Sequence, residues 1–265
     1  MDDFLFNKEE YLNRIGFTGE VSKDISFIKA IQHAQQLSIP FENFDICLGR
    51  EIKTDPASVF EKCVRHQRGG YCFELNGLFL QALQSFGFQA RALLGRVHVS
   101  GKPTGRSHQV SLVTTDENYW ILDTGFGAET PPVPIPLVCD QSVLFEGEKY
   151  QLMEDAHYGY MLRKMQEMKW KNLYSFDLNY VCQADIAYGN YYTSTNPHSF
   201  FVNGRIAALR VKGGVVSLYN NTLKKKIAGS EEIITLDEGP SYMEILEKEF
   251  GIFLDAKYTD LKPVG

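Results

Sequence analysis

The stretch Arg68 to Gly77 reads R-G-G-Y-C-F-E-L-N-G and sets Cys72 just behind a glycine pair and just ahead of an apolar run. Leu75, Leu78, Phe79, Ala82 and Phe86 follow at steps of three and four, which predicts a helix starting near Cys72, with Gly87 as its stop. A thiol in the first turn of a helix meets free backbone N–H groups and the positive end of the macrodipole, which favour the thiolate. Gly69 and Gly70 let the backbone turn sharply and leave room for a substrate to approach. Cys72 is therefore a candidate nucleophile. The alternative is a core cysteine, the usual fate of a reduced thiol.

A thiolate nucleophile needs a base, and the base needs an orienting group. Six histidines are present, and His108 stands out because it opens the strand-like H-Q-V-S-L-V, which T-T-D-E-N connects to Y-W-I-L-D-T-G-F-G. In an antiparallel hairpin with an even loop and no bulge, paired positions have an odd sum. Pairing Thr114 with Tyr119 then sets Asp123 opposite Val110, and His108 lies two residues along on the same face. This register brings His108 and Asp123 within reach of an imidazole–carboxylate hydrogen bond. His98 is the other candidate base, but no carboxylate stands in matched parity to it.

The elements that must hold these groups change character along the 265 residues. Up to about Phe88 the signals are helical. Asn7 with Glu10, Ser22, and Asp55 before Pro56 are the expected helix starts. From Ala90 short β-like segments predict a small barrel or sandwich. Beyond roughly Asp185 comes a mixed tail, in which F-F-V-N-G-R-I-A-A-L-R-V-K-G-G-V-V-S-L-Y-N-N reads as strands and Ser241 with Glu244 opens a last helix. The proline-rich Glu129 to Leu137 reads as an extended crossing segment.

Composition sets the outer limits. A net charge of −6 argues against a nucleic-acid partner. Five widely spaced cysteines without a C-x-x-C argue against a disulfide framework or a structural zinc site, so no metal is expected. No apolar run approaches bilayer length and the N-terminus is acidic, which predicts a cytoplasmic protein without a membrane partner.

The segment Arg68 to Asn76 resembles the R-G-G-x-C-x-E-x-N motif of the arylamine N-acetyltransferases, in their bacterial form. I-P-F-E-N-F-D-I-C-L-G-R, S-H-Q-V-S-L-V, I-L-D-T-G-F-G and T-S-T-N-P-H-S-F-F extend the likeness over most of the chain. The resemblance implies an α+β protein of three units: a helical bundle (1–88), a β-barrel (89–184) and an α/β lid (185–265). It implies a cysteine-protease-like triad of Cys72, His108 and Asp123 shared by the first two units. It also implies acetyl-coenzyme A as co-substrate, an acetyl-cysteine thioester intermediate, ping-pong transfer to an arylamine, arylhydrazine or hydrazide, and a setting in xenobiotic metabolism. Thr104, Gly105 and Gly127 resemble elements that lie along coenzyme A, and Phe41 and Phe126 resemble walls of the acceptor pocket. Thr124 and Phe44 depart from the usual valine and leucine. An amide synthase with another acyl donor would keep the same triad, as would a cysteine hydrolase. Oligomeric state is not legible.

Overall fold

Asn7 caps the first helix, α1 (Lys8–Arg14), by accepting from the N–H groups of Glu9 and Glu10, as the sequence predicts. The computed structural model describes residues 4–116 and 118–263. Helix α2 (Ile25–Ser38) starts later than Ser22 implies. Asp24 is its cap, accepting from Ser26 and Phe27 N–H at 2.8 and 3.0 Å, and a carboxylate is the better match for a helix N-terminus. The two-residue strand β1 (Phe41–Glu42) and the four-residue helix α3 (Phe44–Cys47) follow. Neither is long enough to show a periodicity. Asp55 caps α4 (Pro56–Phe60), which widens into a π-helical turn over Glu61–Arg65 before the nucleophile-bearing helix α5 (Cys72–Ser85).

Eight strands come next: β2 (Gln89–Val97), β3 (Arg106–Thr115), β4 (Asn118–Leu122), β5 (Ile135–Pro136), β6 (Ser142–Phe145), β7 (Glu148–Asp155), β8 (Gly159–Gln166) and β9 (Lys169–Phe176). They form one antiparallel sheet in the order β5-β4-β3-β2-β9-β8-β7-β6. A bridge from Cys139, in the link after edge strand β5, to Leu152 of β7 brings that end of the sheet round to the other, so the sheet is nearly closed like a barrel. The β3–β4 hairpin has the register that parity predicts, Thr114 opposite Tyr119 and Ser111 opposite Leu122. Of its connecting residues, Glu117 lies outside the described ones.

The remainder opens with α6 (Gln183–Thr195) and α7 (Phe200–Asn203), continues through β10 (Ile206–Val211), β11 (Gly214–Tyr219), β12 (Thr222–Ile227) and β13 (Ser230–Thr235), and closes with α8 (Pro240–Phe250). Phe200 to Asn203 are thus helical rather than extended, with Ser199 as cap. Helix α8 begins on Pro240, ahead of Ser241. Proline at the first helical position forfeits no hydrogen bond there. Strands β10 to β13 join β1 in a five-stranded antiparallel sheet, ordered β1-β10-β11-β12-β13.

Three apolar clusters fill the molecule: one under α1 to α5, one between the five-stranded sheet and α8, and one inside the larger sheet. They interlock. Ile186 of α6 belongs to the first cluster, and Phe44 and Cys47 belong to the second. No helix among the described residues is long and apolar enough to cross a membrane.

Candidate active site

Cys72 is the first residue of α5 and is buried. The glycine pair before it has a role the sequence does not reveal. Neither glycine has a positive φ. A Cβ on Gly69 would lie 2.2 Å from the Pro40 carbonyl oxygen, and one on Gly70 would lie 2.7 Å from the Glu74 Cβ. The pair therefore lets the chain press against β1 and against its own helix, not against a substrate. Glu74 turns back to accept the Tyr71 N–H at 3.0 Å, the capping-box contact that fixes how α5 begins.

That carboxylate belongs to a buried charge cluster. Lys62, from the π-helical turn, reaches Glu74 at 2.7 Å and Asp45 at 2.6 Å. Arg68 reaches Glu42 at 2.7 Å and Asp45 at 3.3 Å. Burial opposes the Lys62 charge, but Glu74, Glu42 and Asp45 outweigh it and raise the ammonium pKa. Because Lys62 serves several carboxylates, its charge only partly offsets burial at Glu74, whose carboxyl stays above its ordinary value.

His108 Nε2 lies 2.8 Å from Asp123 Oδ2, with both side chains almost fully buried. Asp123 Oδ1 accepts from Asn76 Nδ2 at 2.9 Å and from the Gly125 N–H at 2.8 Å. Burial alone would raise this carboxyl, but the His108 charge and these hydrogen bonds hold it below the usual carboxylate value. Asn76 stands one helical turn after Cys72, so α5 carries both the thiol and a clamp on the acid. It also donates to Gln109 O at 2.7 Å and accepts the Thr124 N–H at 2.8 Å. The contact is tight at the backbone of the nucleophile: a Cβ on Gly125 would lie 3.1 Å from Cys72 Cα. Since Nε2 is engaged by Asp123, Nδ1 is the ring nitrogen left to take a proton from a thiol.

The thiol's own environment pushes its pKa up, opposite to what a helix N-terminus alone predicts. Burial is the main cause and the Asp123 charge adds to it, while the Gln109 and Phe73 backbone N–H groups pull weakly down. Its sulfur lies 3.6 Å from Ser107 O. Burial also raises Cys47 and Cys63, each to about 12. His98 sits elsewhere, with Nε2 2.8 Å from Ser175 Oγ and its ring against Tyr158.

The remaining predicted residues fall into two groups. Phe126 packs edge-on to the His108 ring at 4.8 Å, and Tyr174, which no sequence signal marks, packs against both. Phe41 contacts Phe201, and its ring faces Gly127 across a small cavity that both residues line. Thr104 and Gly105 lie apart from these, in the turn between β2 and β3. There Thr104 Oγ1 accepts the Val97 N–H at 2.9 Å. Gly105, Arg106 and Ser107 line a cleft of about 570 Å³ with Asp185, Tyr188 and Tyr192 of α6. Asn76, Glu74 and Lys62 carry no sequence signal of partnership beyond the position of the first two in the motif. No group of three or more potential metal ligands occurs among the described residues.

A buried imidazole–carboxylate pair beside the N-terminal residue of a helix, when that residue is cysteine, is equipped for acyl transfer through sulfur. Comparison with known proteins gives the same direction. The family model described as N-acetyltransferase matches residues 24–259. The arylamine N-acetyltransferase of Escherichia coli K12 is 34% identical over 249 residues, covering 92% of this chain and 88% of that one. The structure of the Salmonella typhimurium arylamine N-acetyltransferase superposes with a TM-score of 0.89 at 32% identity, over 92% of this chain and 90% of the other. The Mycobacterium marinum enzyme, solved in complex with CoA, gives 0.88 at 30% identity over 93% of each chain. Likeness of this extent, in sequence and in fold together, makes the chain a member of the arylamine N-acetyltransferase family of acyltransferases.

Proposed function

We propose that this protein transfers an acetyl group from acetyl-coenzyme A to the nitrogen of an arylamine, arylhydrazine or hydrazide, with Cys72 as nucleophile, His108 as base and Asp123 as orienter. The observation that carries the reading is the Asp123 carboxylate, which holds His108 Nε2 on one oxygen and, through Asn76, the helix of Cys72 on the other. In the first half-reaction His108 Nδ1 takes the thiol proton as sulfur attacks the thioester carbonyl. Coenzyme A leaves as a thiol, reprotonated from the imidazolium. In the second, the amine nitrogen attacks acetyl-Cys72, the S–C bond breaks, and His108 moves the amine proton to the departing sulfur. Asp123 holds the tautomer and stabilises the imidazolium in both.

The raised pKa of the thiol makes the imidazole essential, because proton transfer to His108 is the route by which a thiolate forms at neutral pH. The cleft beside Gly105, which shares Ser107 with the nucleophile's surroundings, supports entry of coenzyme A past Thr104 and Gly105. The aromatic rings of Phe126 and Phe41 support an acceptor site between them and Gly127.

Acetyl-coenzyme A alone is expected to release about one equivalent of coenzyme A and then stall until an arylamine is added. Double-reciprocal plots over both substrates are then parallel. Intersecting lines, or steady hydrolysis indifferent to amine, would contradict the reading.

A further inference from the structure

Helix α2 turns three glutamines inward on one face, Gln32, Gln35 and Gln36, all buried and none used by the chemistry above. Gln35 ties the helix to the nucleophile's side of the site. Its Nε2 donates to Leu75 O, three residues past Cys72, and to Thr124 Oγ1, each at 3.1 Å, while its oxygen accepts from the Tyr11 hydroxyl at 2.8 Å. The Thr124 hydroxyl donates in turn to Leu75 O. The other two glutamines hold the residue before Thr124. Gln32 Nε2 donates to Asp123 O at 3.2 Å and to Pro131 O at 3.3 Å. Gln36 Nε2 donates to the same two carbonyls at 3.0 and 2.8 Å.

The proline-rich segment explains why Asp123 O takes its donors from a helix. Strand β4 pairs with β5 as far as Ile121 opposite Ile135. The next position in that register sets Leu122 opposite Pro134, which has no N–H to give, and Pro131 and Pro132 lack one too. Pairing on that side ends just short of Asp123, and the amides of α2 take over there. Turned over, either amide would set its oxygen against two carbonyl oxygens, so the network fixes which way each one points. Both amide oxygens are buried without a partner among the described residues, a cost to the fold that calls for a role beyond filling space. Asp123 is thus held at both ends, its carboxylate by Asn76 and Gly125 and its carbonyl by Gln32 and Gln36.

We propose that Gln32 and Gln36 are positioning residues: by holding the Asp123 backbone to α2, they aim its carboxylate at His108 Nε2. Gln35 holds the same helix to α5, so the acid and the nucleophile share one frame. The inference rests on the acetyl-transfer reading and adds two residues that act through the acid without touching substrate.

The test compares the wild type with Q32M, Q36M and the double variant, in which methionine fills the space of glutamine without its donors. One readout is the rate of coenzyme A release on rapid mixing with a range of acetyl-coenzyme A concentrations and no acceptor. The other is the pH midpoint of iodoacetamide alkylation, read at Cys72 by peptide mass. Q36M, which loses the shorter bonds, should slow the limiting rate roughly tenfold, and Q32M about threefold, on the scale of single hydrogen bonds. The double variant should slow it about hundredfold, as a misplacement of about 1 Å does. The half-saturating concentration should stay near that of the wild type, because substrate contacts are intact. The alkylation midpoint should rise in the same order, toward that of a protein without the imidazole, as His108 loses its hold on the thiol proton. Thermal melts followed by circular dichroism establish which variants fold, and Q32M keeps the test decisive should the others fail to. A lower melting temperature alone, with limiting rate and midpoint as in the wild type, would overturn the proposal. So would a slower rate with the midpoint unmoved, or a change confined to the half-saturating concentration. A wild type that never becomes acetylated would overturn the acetyl-transfer reading, and the alkylation midpoints would still decide whether α2 aims the acid.

Discussion

Asp123 is surrounded by donors only: His108 Nε2, Asn76 Nδ2 and the Gly125 N–H. An asparagine there must turn its NH₂ toward one of them, and its oxygen cannot hold the imidazolium. Asp123→Asn is therefore expected to fold yet to lose activity by about four orders of magnitude, as the equivalent change does in a serine triad. Steady-state kinetics beside a circular dichroism spectrum check this. His108 makes a second prediction at the same scale. Burial and the Asp123 charge raise the Cys72 pKa, so less thiolate exists at a given pH unless the imidazole takes the proton. In His108→Asn, iodoacetamide alkylation of Cys72 should titrate above the free-thiol value of about 8.5. In the wild type it should titrate lower than in this variant, because the imidazolium pairs with the thiolate. Equal midpoints in the two proteins would remove His108 from the chemistry.

The helix that presents Cys72 depends on a charge cluster the sequence does not announce. Lys62 meets Glu74 and Asp45, and Glu74 holds the Tyr71 N–H at the start of α5. Lys62→Met leaves these carboxylates buried without their ammonium, and the expected cost is about 3–5 kcal/mol, read from urea unfolding. A Lys62→Met protein as stable as the wild type would show that the cluster is solvated. Parity arithmetic made the β3–β4 register legible, because one shift would have turned His108 and Asp123 to opposite faces. Asn7, Asp55 and Pro56 mark their helices because caps are local contacts. The cluster around Glu74 stays hidden because its members come from positions 42 to 74, and only folding brings them together. The role of Gly69 and Gly70 is hidden for the same reason, since Pro40 and Glu74 supply the close approach.

Over the whole molecule, elements distant in sequence meet around one buried pair. Phe41 is held between the Gly70 turn and β10, so the N-terminal segment supplies an edge strand to the C-terminal sheet. Helix α6 packs Gly189 against Phe73 and flanks the cleft at Gly105. We propose that the helical, barrel-like and C-terminal units expected from the sequence correspond to the regions dominated by the three apolar clusters, with the nucleophile at their junction. Neither edge strand nor helix α6 shows that junction in its own sequence. β1 has two residues, and α6 buries only Ile186, Asn190 and Thr193.

The most direct measurement of the central claim is the intact mass of the protein, quenched in acid shortly after mixing with acetyl-coenzyme A and no acceptor. The account predicts one added acetyl group, mapped by peptide fragmentation to Cys72 and removed when an arylamine is added before the quench. It predicts none on a Cys72→Ser protein, and none on Cys47, Cys63, Cys139 or Cys182. An unmodified enzyme that still forms the amide, or a label on another residue that turns over with the amine, would contradict it.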